Sequence, residues 1–200
     1  VKVDPKWTGQ TLGEVLNQCG ARIEGLNSRR LVIHGVKALA PIDTTIIPDR
    51  IEAATFAAAA VMTGGSITLE RVIPEHFEAS LRKLEEAGAT VIREHDEVTV
   101  SGRGRPQACD VTTQVYPGFP TDMQAQMMAV AAIAIGTSVI EDTIYLDRFS
   151  HVPELARLGA NIELKANVAV VKGVERLQGA PVMATDLRAS AALALGALVA

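Results

Sequence analysis

Three times along the chain a stripe of apolar residues at helical spacing runs into a Gly-Ala pair and then into two short β-rich runs. The first copy, residues 16–36, reads Leu-Asn-Gln-Cys-Gly-Ala-Arg-Ile followed by Arg-Arg-Leu-Val-Ile-His-Gly-Val. In residues 84–102 the pattern returns as Leu-Glu-Glu-Ala-Gly-Ala-Thr-Val and then Glu-Val-Thr-Val-Ser-Gly, and in 155–174 as Leu-Ala-Arg-Leu-Gly-Ala-Asn-Ile and then Val-Ala-Val-Val-Lys-Gly-Val. Gly20, Gly88 and Gly159 are thus equivalent, 68 and 71 residues apart, and a fixed repeat of this kind governs the whole architecture. Before Gly88, Phe77, Leu81 and Leu84 form the apolar stripe and Glu78 faces Arg82 four residues on, so a helix is predicted to end in a left-handed glycine. Val152, Leu155 and Leu158 repeat the stripe, and Thr11 with Glu14 reads as a capping box for the first copy. Thr90–Ile92 and Val98–Val100 read as a hairpin.

A second element opens each repeat. Pro48-Asp49-Arg50-Ile51-Glu52, Pro120-Thr121-Asp122-Met123-Gln124 and Ala184-Thr185-Asp186-Leu187-Arg188 each lead into an Ala-rich helix, the first two of which exit at Gly64-Gly65 and at Gly136-Thr137-Ser138. A repeat therefore reads strand, Ala-rich helix, strand, amphipathic helix, strand, strand. The predicted fold class is α/β, built of βαβαββ units of about 70 residues around buried helices, with small Ala side chains allowing close helix approach. Residues 1–40 hold the rear of one repeat, 41–105 a second, 106–177 a third and 178–200 the front of a fourth. The expectation is a fragment of a longer chain.

Composition narrows the partners. Nineteen Lys plus Arg against 23 Asp plus Glu give a formal charge of −4, and 48% of the 200 residues are hydrophobic. A packed core is expected, with neither nucleic acid nor an anionic membrane as the main partner. The uncharged run Met123–Ile140 is interrupted by Gln124, Gln126 and Gly136 and is not read as a membrane span. Cys19 and Cys109 lack clustered spacing and are expected to be buried small hydrophobes, while His34, His76, His95 and His151 are scattered; no metal site and no cofactor are predicted. With no signal peptide in view, a cytoplasmic location is the default. Gly102-Arg103-Gly104-Arg105 is not a phosphate loop and reads as a solvated basic turn.

Chemistry concentrates at the junctions before the Ala-rich helices. Asp49, Asp122 and Asp186 are each placed to cap a helix N-terminus. Arg188 stands in the first turn of its helix, where the dipole does not favour a cation, which points to an anionic ligand. Asp147-Arg148-Phe149-Ser150-His151-Val152-Pro153 gathers an acid, a cation and a histidine ahead of a helix predicted to start near Pro153.

Pro120-Thr121-Asp122-Met123-Gln124-Ala125-Gln126, Arg148-Phe149-Ser150-His151-Val152-Pro153-Glu154-Leu155 and Met183-Ala184-Thr185-Asp186-Leu187-Arg188-Ala189-Ser190 closely resemble motifs of the UDP-N-acetylglucosamine 1-carboxyvinyltransferases, within the enolpyruvyl transferase family. Pro48-Asp49-Arg50-Ile51-Glu52 fits as well. The resemblance implies an inside-out α/β barrel of two three-repeat domains with the active site in the cleft between them, of which residues 1–46 would finish the first domain and 47–200 would be most of the second. It implies transfer of the enolpyruvyl group of phosphoenolpyruvate to the 3-hydroxyl of UDP-N-acetylglucosamine with release of phosphate, the first committed step of peptidoglycan synthesis. Both substrates, and the missing N-terminal half of the same enzyme, are the implied partners.

By the same resemblance Asp122 is the carboxylate that meets the sugar 3-hydroxyl and serves as its general base. Ile144 contributes a backbone contact to the nucleotide sugar, Arg148 and Arg188 lie near the phosphoenolpyruvate anions, and Asp186 lies close to the reacting carbons. The family's catalytic loop with its Cys or Asp proton donor, and its early Lys-Asn pair, have no counterpart in these 200 residues, so this chain alone is expected to be inactive and neither cysteine is named catalytic. Where relatives carry an Arg-Glu-Pro-Glu-like run, this chain has Val3-Asp4-Pro5-Lys6-Trp7. The alternatives are a noncatalytic nucleotide-sugar-binding protein of the same fold and an enolpyruvyl transferase for another hydroxyl acceptor.

Overall fold

A computed structural model of the chain describes residues 8–26, 28, 30–184 and 186–200. The divergent opening Val3–Trp7, and Thr185 of the last motif, lie outside the described residues. The chain divides into two compact bodies. The smaller holds the described residues up to Ile47 with Val115–Pro117, and the larger holds 48–114 and 118–200.

In the smaller body, helix α1 (Thr8–Gln18) is followed by strands β1 (Arg22–Glu24) and β2 (Val32–His34), which pair antiparallel with Ile23 opposite Ile33. The Asn17 side chain fixes the helix to the hairpin by donating to the Ile23 carbonyl and accepting from its N–H, both at 2.8 Å. Thr11 lies inside α1 rather than before it, so the predicted capping box there is corrected: the described helix already includes Thr8, three residues earlier.

The larger body contains one full repeat, one without its leading strand, and the opening helix of a third. The first comprises α2 (Arg50–Thr63), β3 (Ser66–Glu70), α3 (Glu78–Glu86), β4 (Thr90–Arg93) and β5 (Glu97–Ser101), the strands forming an antiparallel sheet in the order β3-β5-β4. The second comprises β6 (Val111–Thr112), α4 (Gln124–Ala132), β7 (Thr137–Glu141), α5 (His151–Arg157), β8 (Asn161–Lys165) and β9 (Val168–Lys172), with the order β6-β7-β9-β8. Helix α6 (Leu187–Ala197) opens the third. The two β-rich runs after each glycine pair as hairpins, β1 with β2, β4 with β5 and β8 with β9. A leading strand forms before α4 only; among the described residues none precedes α2 or α6. Pro41 and Pro48 before α2, and Pro181 before α6, remove ladder donors from those segments.

The glycines act as the repeat predicts. Gly20, Gly88 and Gly159 have φ of 94°, 96° and 90°, a region that a Cβ disfavours. In each case the next N–H turns back to the last helical turn: Ala21 to the Leu16 carbonyl, Ala89 to Leu84 and Ala160 to Leu155. This is the Schellman-type ending that sends a helix directly into a strand.

Packing centres on α4, all nine residues of which are buried, with α2 and α6 against it. Ala54, Ala57, Ala58, Ala125, Ala129, Ala132 and Ala192 are at most 1% exposed, so Ala lines the helix contacts and permits short separations. Phe77, Leu81 and Leu84 of the amphipathic stripe are buried, as are Val98, Val100, Ala169 and Val171 on the inner sheet faces. Glu78 accepts from Arg82 at 2.8 Å and also from Arg93, which ties α3 to β4. Cys19 and Cys109 are only partly buried, not core residues; Cys109 lies in the loop before β6, where burial pushes its thiol up to about 11. Arg103–Arg105 are exposed, yet Arg105 donates to the carbonyls of Ile133, Ala134 and Val174. It thereby satisfies acceptors at the end of α4 that no helical N–H reaches.

That junction is tight. A Cβ at Gly173 would stand 1.8 Å from the Ala134 carbonyl oxygen, whereas one at Gly179 would meet nothing within 4 Å. Gly173→Ala is expected to lower unfolding free energy by about 2 kcal/mol or more through overpacking. Gly179→Ala should stay within about 0.5 kcal/mol of the parent, both read from guanidinium unfolding of the protein.

Candidate functional site

The turn that carries Asp122 differs from the other two helix entrances. Asp49 caps α2 by accepting from the N–H groups of Ile51 and Glu52. Asp186 caps α6 by accepting from those of Arg188 and Ala189. Before α4, Thr121–Met123 forms a 3₁₀ turn, and no side chain caps either that turn or the helix. The expectation that Asp122 is an N-cap is therefore corrected. The tighter turn rotates its carboxylate off the helix end, and Met123 drops into the core at 0% exposure.

The freed carboxylate meets two cations. Arg148, in the loop between β7 and α5, donates from Nη1 to Asp122 Oδ1 at 2.6 Å, and Arg188 Nε, in the first turn of α6, lies 3.4 Å from the same oxygen. Arg148 Nη1 is also 3.5 Å from Thr121 Oγ1, and its guanidinium stands 5.0 Å from the centre of the Tyr145 ring, within cation–π range. Burial alone would raise the Asp122 pKa, but the hydrogen bond from Arg148 and the nearby Arg188 charge outweigh it and hold the carboxyl below its ordinary range. The side chains of Asp122, Arg148 and Arg188 remain 33%, 24% and 25% exposed, so solvent or a ligand can reach them. Two guanidiniums around one carboxylate leave an excess positive charge suited to an anion.

Asp186 is committed differently. Besides its two backbone donors it accepts from Ser150 Oγ at 2.7 Å. The Ala189 N–H and the Ser150 hydroxyl together lower its pKa. Ile144 is 44% exposed and its N–H is directed inward to Asp142 at 3.0 Å, which leaves its carbonyl as the backbone group for a ligand donor. Of Asp147, Arg148 and His151, grouped in the sequence, only Arg148 bonds to Asp122. Asp147 is exposed, while His151 is 1% exposed and stacks on Phe149 with centroids 6.2 Å apart. Helix α5 also starts at His151, two residues before the predicted Pro153.

Sequence reasoning missed two residues here. Asp142 is fully buried and accepts from Thr113 Oγ1, Thr121 Oγ1 and the N–H groups of Ile144 and Tyr145. Its signal was an acid closing the β-rich run Thr137–Glu141 just before Thr143, a place where Asp can organise a turn. The other is His151, buried at 1% exposure and singled out in the sequence only as part of the polar string before α5. Among the described residues there is no group of His, Cys, Asp and Glu that could hold a metal ion, and no helix is long and apolar enough to cross a membrane.

The repeated helix–sheet units are those of an α/β fold in which the entrances of α4 and α6 lie side by side. In solved structures the chain is similar to the enolpyruvyl transferase NikO from Streptomyces tendae, with a TM-score of 0.76 and 28% identity over 94% of this chain and 46% of that one. An EPSP synthase from Acinetobacter baumannii, at 14% identity and a TM-score of 0.61 over 78% of this chain and 38% of that one, shares the fold. A profile of the EPSP synthase (3-phosphoshikimate 1-carboxyvinyltransferase) family matches residues 9–200, and the chain belongs to that family. It is 51% identical over 189 residues to UDP-N-acetylglucosamine 1-carboxyvinyltransferases of Myxococcus xanthus and Geobacter metallireducens, and 52% over 190 to that of Xylella fastidiosa. In each case 94% of this chain is covered but 45% of the relative, so the chain spans about half the length of the curated relatives it matches.

His151 makes the body's stability pH-dependent. Burial pushes its pKa down from 6.5 to about 4, Asp186 opposing and Arg148 adding to the shift. Because the unfolded histidine binds its proton first, stability is full above pH 6.5 and falls as pH drops toward 4, by roughly 3 kcal/mol. His76, also lowered by burial and by Arg50, acts in the same sense. The lowered carboxyls of Asp122, Asp142 and Asp186 lose their contributions only at lower pH. The difference in unfolding free energy between parent and His151→Phe, measured from pH 7 to 4, should isolate the His151 share.

Proposed function

We propose that these residues belong to an enzyme that transfers the enolpyruvyl group of phosphoenolpyruvate to the 3-hydroxyl of UDP-N-acetylglucosamine, releasing phosphate. The observation that carries this reading is the convergence of Arg148 and Arg188 on the Asp122 carboxylate, in a chain half-identical to carboxyvinyltransferases of that name. In this account residues 1–46 close a first domain and 47–200 form most of a second, within a longer cytoplasmic enzyme of cell-wall synthesis. The other half supplies the proton donor and the remaining anion contacts.

Each residue has a task. An alcohol attacks poorly until its proton is accepted, and Asp122 is the acceptor, within hydrogen-bond reach of the 3-hydroxyl. Held low by two arginines, Asp122 is a weak base at rest. When the carboxylate and phosphate of phosphoenolpyruvate draw Arg148 and Arg188 toward themselves, the guanidiniums release Asp122 and its basicity rises. The hydroxyl oxygen then bonds to C2 of the donor as its proton passes to Asp122, and C3 takes a proton from the donor group of the other half. Loss of a C3 proton and of phosphate from the tetrahedral intermediate restores the vinyl ether. The arginines oppose the charge on the leaving phosphate. The Ile144 carbonyl contacts the nucleotide sugar, and Asp186 Oδ2 assists proton movement near the reacting carbons.

Phosphate release by the full-length protein, given phosphoenolpyruvate with UDP-N-acetylglucosamine or with shikimate 3-phosphate, tests the reading. Turnover with the nucleotide sugar is expected, and a preference for shikimate 3-phosphate would overturn the acceptor assignment. Nucleotide-sugar binding without phosphate release would favour a noncatalytic binding protein. In the active enzyme Asp122→Asn should lower kcat by about 10²–10⁴-fold, the usual worth of a positioned base. Arg188→Gln should raise the KM for phosphoenolpyruvate at least about tenfold, by loss of a charge-assisted contact.

A further inference from the structure

Asp142 is a carboxylate at 0% exposure with no ion-pair partner among the described residues. Such a group is costly to bury unless its oxygens are hydrogen-bonded. Four donors meet it from three segments of chain. Oδ1 accepts from Thr113 Oγ1 at 2.7 Å, at the end of β6, and from the N–H groups of Ile144 at 3.0 Å and Tyr145 at 2.9 Å. Oδ2 accepts from Thr121 Oγ1 at 2.6 Å. Its own backbone is fixed as well, with the N–H donating to the Asn167 carbonyl at 2.9 Å and the carbonyl accepting from Asn167 Nδ2 at 3.0 Å. Burial would raise its pKa, but the Thr121 hydroxyl, the Tyr145 N–H and the other donors lower it, so the charge persists.

The two oxygens lead to the same place by different routes. Through Oδ1 the carboxylate shapes the turn bearing Tyr145, whose ring lies under the Arg148 guanidinium. Through Oδ2 it holds Thr121, the neighbour of Asp122, whose hydroxyl stands 3.5 Å from Arg148 Nη1. The local N–H groups reach Oδ1 alone; Oδ2 is met by Thr121, 21 residues away in sequence, so the carboxylate joins its own turn to the one that bears Asp122.

Resting on the functional reading above, we propose that Asp142 is a positioning residue that sets the register between the Ile144–Tyr145 turn, which meets the acceptor, and the Thr121–Asp122 turn, which deprotonates it. It touches neither substrate. An ionised carboxylate suits this place because it is acceptor-only, with lone pairs enough on its two oxygens for all four donors.

Two variants of the full-length protein separate the limbs. Asp142→Asn keeps the size but faces Thr121 with an amide group, and Thr121→Val removes that link while leaving the bonds to Oδ1. Asp142→Asn is expected to weaken UDP-N-acetylglucosamine binding, measured calorimetrically without the donor, and to lower kcat, each about tenfold, as displacement of a reacting pair does. Thr121→Val should lower kcat by about tenfold with nucleotide-sugar affinity within about twofold. A merely structural Asp142 would lower the melting temperature and the folded fraction without this split. Affinity and kcat per folded molecule within twofold of the parent in both variants would overturn the proposal. If Asp142→Asn does not fold, an unchanged kcat in Thr121→Val overturns it alone. Should the parent itself fail to turn over, the functional reading fails, and a crystal structure of Thr121→Val still decides this one. An Arg148–Asp122 bond kept at 2.6 Å would contradict it, and a broken one would support it.

Discussion

One carboxylate oxygen, Asp122 Oδ1, is shared by guanidiniums that arrive from two other junctions of the chain. Pairs this exposed contribute at most about 1 kcal/mol to stability, so the fold is not held together here. The cluster matters because it puts two like charges side by side, compensated by one acid that a ligand can reach. Removing the acid leaves the arginines repelling each other, and supplying an anion relieves Asp122 of its partners. In the proposed reaction, substrate binding and base strength would thereby be coupled through the same three side chains.

The repeat makes this meeting possible. Each Ala-rich helix begins at a junction, and the close packing of α2 and α6 on the wholly buried α4 brings those junctions to one end of the body. Asp122 enters from the start of α4 and Arg188 from the start of α6, while Arg148 comes from the loop leading into α5. Around them lies a rigid frame. The left-handed glycines end each amphipathic helix at a fixed point, Arg105 gathers the carbonyls at the far end of α4, and Asp142 binds two turns beside the arginines.

What was legible in the sequence was what depends on near neighbours. The Gly88 and Gly159 helix ends, the β4–β5 and β8–β9 hairpins and the Asp49 and Asp186 caps are settled within a few residues, and they form as read. Asp122 looked like a third cap because its local pattern matches, but a 3₁₀ turn and two distant arginines take its carboxylate elsewhere. The strands expected before α2 and α6 do not form, an outcome of tertiary context that local propensity does not report. Asp142 was passed over for the same reason: Thr113 and Thr121 lie 29 and 21 residues away, and nothing in the intervening sequence announces the contact. His151 sits in a polar string yet is buried, since Val152 and Leu155 carry their helix face inward.

The most direct measurement is a crystal structure of the full-length protein with UDP-N-acetylglucosamine bound. An Asp122 carboxylate oxygen is expected at hydrogen-bond distance, about 2.7 Å, from the sugar 3-hydroxyl, with the Ile144 carbonyl against the same ligand. A nucleotide sugar bound with its 3-hydroxyl away from Asp122, while Arg148 and Arg188 keep the carboxylate to themselves, would contradict it.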